Sequence, residues 1–194
     1  RYFARVIATD ASAQQIDNAR PDPRVEYRVA PAEDSGIPDG SVDLVTIAQA
    51  LHWFGFDRFY REVRRVARPG AVIAAIAYGL MGITPEVDPI VEQFYVDILG
   101  SFWPPERRFI DEGYRTIPFP FAEIVPPPLA IEKDWTFEHL TGYLETWSAV
   151  KVYRKEKGKD PLDLVLDDLR RAWGETEAVR RVVWPLHLRV GRII

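Results

Sequence analysis

Asp10, Glu33, Gln49 and His52 are the residues best placed to do chemistry, because each stands at or just beyond the end of an apolar run. A carboxylate ending a strand, as Asp10 does after Phe3 to Thr9, can accept hydrogen bonds from the two vicinal hydroxyls of a ribose. Ala11 beside it is small enough for a ligand to lie close. A second strand end delivers Ala30-Pro31-Ala32-Glu33-Asp34, with an N–H at Ala32 and carboxylates after it. A third delivers Ala48-Gln49-Ala50-Leu51-His52-Trp53-Phe54, where amide, imidazole and indole fall within five positions. There His52 suits a general base or a group that orients a substrate. Farther along, Trp103 to Arg108, Tyr114-Arg115 and Tyr143 to Trp147 combine aromatics with Arg107, Arg108 and Arg115. Rigid rings make an apolar wall, and a guanidinium can grip a carboxylate with two parallel bonds. The same residues have structural uses: Asp10 as a helix cap, His52 as a hydrogen-bonded core group, the aromatics as packing.

The elements that must position these residues alternate. Phe3 to Thr9 reads as a strand, Ser12 caps a helix from Ala13 to Ala19, and Val25 to Val29 is a further short strand. Val42 to Ile47 is apolar enough to be a strand buried in a parallel sheet. From Phe56, the spacing of Phe59, Val63 and Val66 predicts a helix, stopped by Pro69-Gly70 before a strand from Ala71 to Ala77. Such alternation implies a doubly wound sheet whose ligands bind at the carboxyl ends of its strands. Beyond Tyr78 the rhythm changes. Pro89 to Leu99 reads as a helix, Phe102 to Pro128 as an insertion dense in proline and aromatics, and Leu129 to Trp135 as a strand. Thr136 to Val150 reads as one helix, Arg154 to Asp160 as a solvated linker, and Asp160 to Trp173 as a helix with Pro161 in its first turn. Arg181 to Arg192 is extended and supplies an antiparallel edge.

Composition narrows the function classes. A chain of 194 residues with 47% hydrophobic content can bury one substantial core. A formal charge of −4 argues against a general nucleic-acid binder, which carries a basic face. With no cysteine there is neither disulfide nor thiol chemistry, and three scattered histidines make no zinc site. No apolar run is long enough for a membrane span and the start has no signal-peptide pattern, so the expected location is cytoplasmic.

The pattern of Asp10 at one strand end, Asp39 to Phe54 across another, and Arg68-Pro69-Gly70 before a third resembles the class I S-adenosylmethionine-dependent methyltransferases. The nearest likeness is to their small-molecule, trans-aconitate methyltransferase-like branch. The resemblance implies a Rossmann-like α/β fold with a doubly wound mixed sheet. It implies a partial cofactor-binding half over residues 1–79, a helical and Pro/aromatic lid insertion over 80–128, and C-terminal strands and helices over 129–194. It implies S-adenosylmethionine as methyl donor, S-adenosylhomocysteine as product and a small-molecule acceptor, with a carboxylate fitting the analogy. Asp10, Ala11, Ala32, Glu33, Ala48 and Gln49 would then hold the cofactor and His52 would stand at the reacting centre. Trp53, Trp103, Arg107, Tyr114 and Trp147 would face the acceptor. Pro31 occupies the place where the family has an acidic residue. The family's first strand and Gly-x-Gly loop have no counterpart here, because Gly36, Gly40 and Gly55 do not follow a strand in that arrangement. With Tyr2 already in the run toward Thr9, the reading is of an N-terminally incomplete enzyme, the alternative being a catalytically inactive interaction module.

Overall fold

The structure, a computed structural model describing residues 3–194, divides into two compact units. The first comprises the chain up to Ile76 with Ile117–Pro126 and Leu188–Ile194; the second comprises Ala77–Thr116 and Pro127–His187. Tyr2, the start of the expected first strand run, lies outside the described residues.

In the first unit, β1 (Val6–Asp10) pairs in parallel with β2 (Val25–Val29), from Val6 opposite Val25 to Asp10 opposite Val29. Between them α1 (Ala13–Asp17) starts at Ser12, whose hydroxyl accepts from the Gln15 N–H. A second sheet holds β3 (Val42–Ala48), parallel to β4 (Ala67–Tyr78), then β7 (Arg180–Arg192) and β5 (Ala122–Ile124). β5 runs antiparallel to the end of β7. The parallel pairs with antiparallel closing strands are the expected mixed α/β arrangement. Neither β1 nor β3 has a second strand neighbour among the described residues.

Two differences from the sequence reading have local causes. β4 begins at Ala67, ahead of Pro69-Gly70 and not after it. Ala67 pairs with Val42 and then the register shifts, so that Leu44 faces Val72. Pro69 and left-handed Gly70 (φ 81°) sit in that irregularity, where a missing N–H and a positive φ are tolerated. The strand Ala122–Ile124 falls within the stretch read as an insertion, and it was hidden by the prolines around it.

Between these strands, α2 (Phe56–Val66) buries Phe59, Tyr60, Val63 and Val66 at helical spacing, each side chain contributing roughly 1.5–3 kcal/mol. Glu62 is buried on the same helix and is fully engaged. Its Oε1 accepts from the Ser35 N–H (2.9 Å) and hydroxyl (2.5 Å), and Arg65 forks onto both oxygens at 2.7 Å. Arg65 also pairs with Asp39. The Arg65 guanidinium, aided by Ser35 and opposed by burial, pulls the Glu62 carboxyl from 4.5 to about 2. A carboxyl depressed on folding stabilises fully above its unfolded pKa. That contribution, roughly 3 kcal/mol at most, should fade as pH falls from about 4.5 toward 2. In urea unfolding across that window, Glu62→Gln is expected to remove this part of the acid sensitivity and to be less stable than wild type at neutral pH. Parallel acid profiles for the two proteins would refute the assignment.

The second unit is mainly helical. It contains α3 (Asp88–Gln93), continued by a π-helical turn over Phe94–Ile98, and α4 (Arg107–Asp111). After β6 (Ala130–Trp135), which is antiparallel to the first half of β7, come α5 (Phe137–Glu145), α6 (Ser148–Lys157) and α7 (Leu166–Trp173). The single helix expected from Thr136 to Val150 is therefore two. The Thr146 hydroxyl donates to the Tyr143 carbonyl at 2.6 Å, and Trp147 turns extended (ψ 135°) to start α6. The expected linker at Arg154 is the last turn of α6, ended by left-handed Gly158 (φ 66°) with basic residues at the negative end of the dipole. His139 completes a capping box with Thr136, which gives it a structural role. No described helix is long and apolar enough to cross a membrane.

Candidate functional site

The first unit gathers its candidates at strand ends. Asp10 closes β1, and one of its oxygens accepts the Ser12 N–H at 2.8 Å, which fixes the carboxylate at the start of α1. The other oxygen carries no hydrogen bond among the described residues, and both Asp10 and Ala11 are exposed. The Ala30 N–H donates to the Asp10 carbonyl, so the ends of β1 and β2 stay in step. Beyond β2, Ala32 and Glu33 are half-buried. Glu33 Oε1 accepts the Gly55 N–H at 2.8 Å, just ahead of α2. One Glu33 oxygen thus ties the loop after β2 to the loop after β3, a link the sequence did not suggest. A carboxylate at that helix start also meets the positive end of the helix dipole.

The end of β3 carries the sharpest backbone feature. Gln49 has φ 53°, a left-handed conformation that costs a residue with a Cβ roughly 1–2 kcal/mol. The Gln49 N–H donates to the Ile76 carbonyl at 2.8 Å, extending the β3–β4 ladder by one bond before the chain turns. Backbone strain of this kind concentrates at ligand sites. The turn passes into a single 3-10 turn, Leu51–Trp53, which directs its three side chains differently. Leu51 is enclosed, His52 is 5% exposed and Trp53 is 57% exposed. The His52 and Trp53 rings remain 4.8 Å apart at 46°. Ala48 and Gln49 therefore offer backbone at the strand end, His52 is held inside, and Trp53 presents a face to solvent.

The second unit brings Trp103, Arg107 and Trp147 together around a residue not singled out in the sequence, Tyr95. The π-helical turn carries Tyr95, whose hydroxyl donates to Asp111 and accepts from Arg107 Nε, each at 2.6 Å. π turns recur at functional sites. The Arg107 guanidinium lies 4.8 Å from the Trp103 ring centre and 5.2 Å from that of Tyr95. Trp103 donates its indole N–H to the Tyr95 carbonyl, and Trp147 packs 5.6 Å from Trp103 and 5.7 Å from Tyr95. Tyr143, Trp135 and Trp184 continue the group of rings. Burial foremost, with the Asp111 bond, pushes the Tyr95 phenol well above its usual range, so it stays protonated and keeps Asp111 and Arg107 in place. Of the three arginines considered from sequence, Arg107 is the one that lies over two rings; Arg108 and Arg115 are exposed. Tyr114 is completely enclosed, with φ 61° and its N–H on the Phe109 carbonyl.

Among the described residues no cluster of His, Asp and Glu is arranged to hold a metal. A shallow surface depression lies elsewhere, on the β6–β7 ribbon. Lined by Glu132, Lys133, Asp134 and Arg181, it lacks any aromatic wall and shares no residue with either group.

Comparison with known proteins gives a consistent assignment. Residues 1–75 match a family described as "Methyltransferase domain". A protein of Dictyostelium discoideum named as a methyltransferase is 35% identical over 186 residues, covering 94% of this chain and 71% of that protein. A solved structure described as a type II methyltransferase from Anaeromyxobacter dehalogenans is 52% identical. It superposes with a TM-score of 0.93 over the whole of this chain and 82% of its own. A methyltransferase structure from an antibiotic biosynthesis pathway of Anabaena variabilis shares the fold, at 20% identity and a TM-score of 0.51, over 93% of this chain and 81% of its own.

Proposed function

Because the chain belongs to the class I S-adenosylmethionine-dependent methyltransferases, we propose that it takes part in methyl transfer from S-adenosylmethionine to a small molecule bearing a carboxylate. The observation that carries the reading is the strained Gln49 at the end of β3, in the same unit as the solvent-facing Asp10 carboxylate. In this reading Asp10 receives the ribose hydroxyls and Ala11 lies against the nucleoside. The Ala32 N–H and the second oxygen of Glu33 serve the adenine, and the backbone of Ala48 and Gln49 runs along the methionine part. His52, buried beside exposed Trp53, orients the reacting groups. The aromatic group of the second unit receives the acceptor, with Arg107 as counter-ion and Trp103 and Trp147 as walls; Tyr114, the further acceptor-side candidate, is enclosed.

A carboxylate acceptor is already ionised at neutral pH, so no general base is needed. Its oxygen attacks the methyl carbon in line, the carbon–sulfur bond breaks with its electron pair returning to sulfur, and a methyl ester and S-adenosylhomocysteine result. Positioning and exclusion of water then supply most of the rate. We also propose that full cofactor affinity requires a further strand with a Gly-x-Gly loop, for which the open edges of β1 and β3 offer ladder partners.

Calorimetric titration of S-adenosylmethionine into this chain and into an upstream-extended form tests the reading. Binding by the extended form, weak or absent in this chain, is expected. In the form that binds, Arg107→Ala should raise KM for a carboxylate acceptor about tenfold or more, as expected for a lost charge-assisted bond, and leave cofactor affinity unchanged. If neither form binds, the reading fails in favour of a non-catalytic module.

A further inference from the structure

We infer that the outer edge of β6 is the contact of a two-fold dimer, in which two copies of this chain pair antiparallel with Ile131 facing Ile131. The ladder on the inner side of β6 shows which groups the outer edge presents. Glu132 stands opposite Val183 of β7, and Val183 exchanges both of its main-chain hydrogen bonds with Gly82, each at 2.9 Å. The N–H and C=O of Val183 therefore point away from β6, and in an antiparallel ladder those of Glu132 then point away from β7. The Leu186 N–H, which donates to the Leu129 carbonyl at 2.9 Å, sets the same alternation. Ala130, Glu132 and Asp134 thus turn their main-chain groups to an edge where β6 has no strand partner among the described residues. An extended chain laid along that edge would satisfy them.

The side chains select a second copy as that chain. Leu129, Ile131, Lys133 and Trp135 share one face of the strand. Trp184, opposite Ile131, is buried in the core of the second unit and Trp135 packs against that core, yet Ile131 is 36% and Leu129 50% exposed. The apolar layer therefore stops at the edge with two aliphatic side chains uncovered. The other face carries Ala130, Glu132 and Asp134, with Glu132 paired to Arg181. Charges guard an edge by making like charges meet. In a two-fold antiparallel pair outward residues meet outward residues, so the axis passes through a residue and not between two. Centred on Glu132 or on Asp134, the pair sets that carboxylate against its own copy. Centred on Lys133, it opposes the two ammonium groups and sets Glu132 against Asp134. Centred on Ile131, it opposes no like charges: Glu132 meets Ala130, Ile131 meets Ile131, and the stem of Lys133 covers Leu129. Sliding further brings Pro128, which has no N–H, opposite Glu132. The charges of β6 thus reject its other alignments with itself and admit the one that buries its exposed aliphatic residues.

The chain contains no cysteine, so one introduced thiol reports one position. Facing residues of this kind have Cα atoms about 4.5 Å apart, which a disulfide can span. Under mild oxidation of the full chain at micromolar concentration, Ile131→Cys is expected to form a covalent dimer about tenfold faster or more than Leu164→Cys. Leu164 is 60% exposed in the same unit and reports random collision, whereas a formed pair holds its thiols at a roughly millimolar effective concentration. Equal rates overturn the inference, and so does Glu132→Cys linking faster than Ile131→Cys. In sedimentation, Ile131→Lys, which sets two ammonium groups face to face, should be monomeric at a concentration where the wild type is dimeric. A monomeric wild type overturns the inference, as does association that Ile131→Lys leaves intact. The cysteine comparison decides the matter whether or not the lysine variant folds.

Discussion

Trp173→Ala is expected to lower stability by roughly 3–5 kcal/mol, the usual range for deleting a buried indole. The ring has no exposed surface and sits in the core of the second unit with Leu140, Leu169 and Val182. It packs 6.0 Å from Phe137, its N–H donates to the Ala178 carbonyl, and Arg180 covers its other side at 5.5 Å. The same arginine donates to the Trp173 carbonyl at 2.6 and 3.2 Å, fastening the end of α7 to the start of β7. Removing the ring thus opens a cavity, orphans an acceptor and takes away the aromatic face beside the cation, which keeps its bonds to the main-chain carbonyl. For a chain of this size the midpoint of thermal unfolding should fall by roughly 6–20 °C. Trp173→Phe should cost less, since only the second ring and its donor are lost. A midpoint for the alanine variant within a degree or two of wild type would show that the second unit does not depend on this core.

Asp10→Ala is expected to weaken S-adenosylmethionine binding by roughly a hundredfold or more, in whichever form of the protein binds it. Each hydrogen bond from a ribose hydroxyl to a carboxylate contributes about 1.5–3 kcal/mol, and the carboxylate accepts two. Because one Asp10 oxygen also holds the Ser12 N–H, the variant should lose about 1 kcal/mol of stability as well. The two effects separate when affinity is measured by calorimetry and stability by urea unfolding on the same sample. Asp10→Asn keeps an acceptor at the helix start and should recover stability more than affinity. Unchanged affinity in Asp10→Ala would leave the carboxylate as a cap and nothing more.

Local chemistry decides how much of this was legible in the sequence. β2 runs from Val25 to Val29 and α2 carries Phe59, Val63 and Val66 on its buried face, because alternation and helical spacing were unbroken there. Nothing so short-ranged marks the break at Thr146-Trp147, which depends on one hydroxyl bonding back to Tyr143. Nor did the sequence reveal β5, whose three residues are strand only because the end of β7 runs beside them. The candidate site divides the same way. Asp10 and Gln49 could be placed because strand ends are visible in sequence, although the left-handed turn at Gln49 was not. Arg107 could be named for the acceptor from sequence, but not its partner Tyr95, which comes from a different helix.

The outer edges of β1 and β3 have a consequence for handling the protein. A strand edge with unmet N–H and C=O groups is a template for any extended chain that approaches it, and the described residues place no neighbouring strand over either edge. β3 is rich in β-branched residues, with Val42, Val45, Thr46 and Ile47 in its seven positions, a composition prone to self-pairing. As polypeptide concentration rises, copies of this chain should add to one another along these edges, so its colloidal behaviour would be governed by backbone complementarity more than by its net charge.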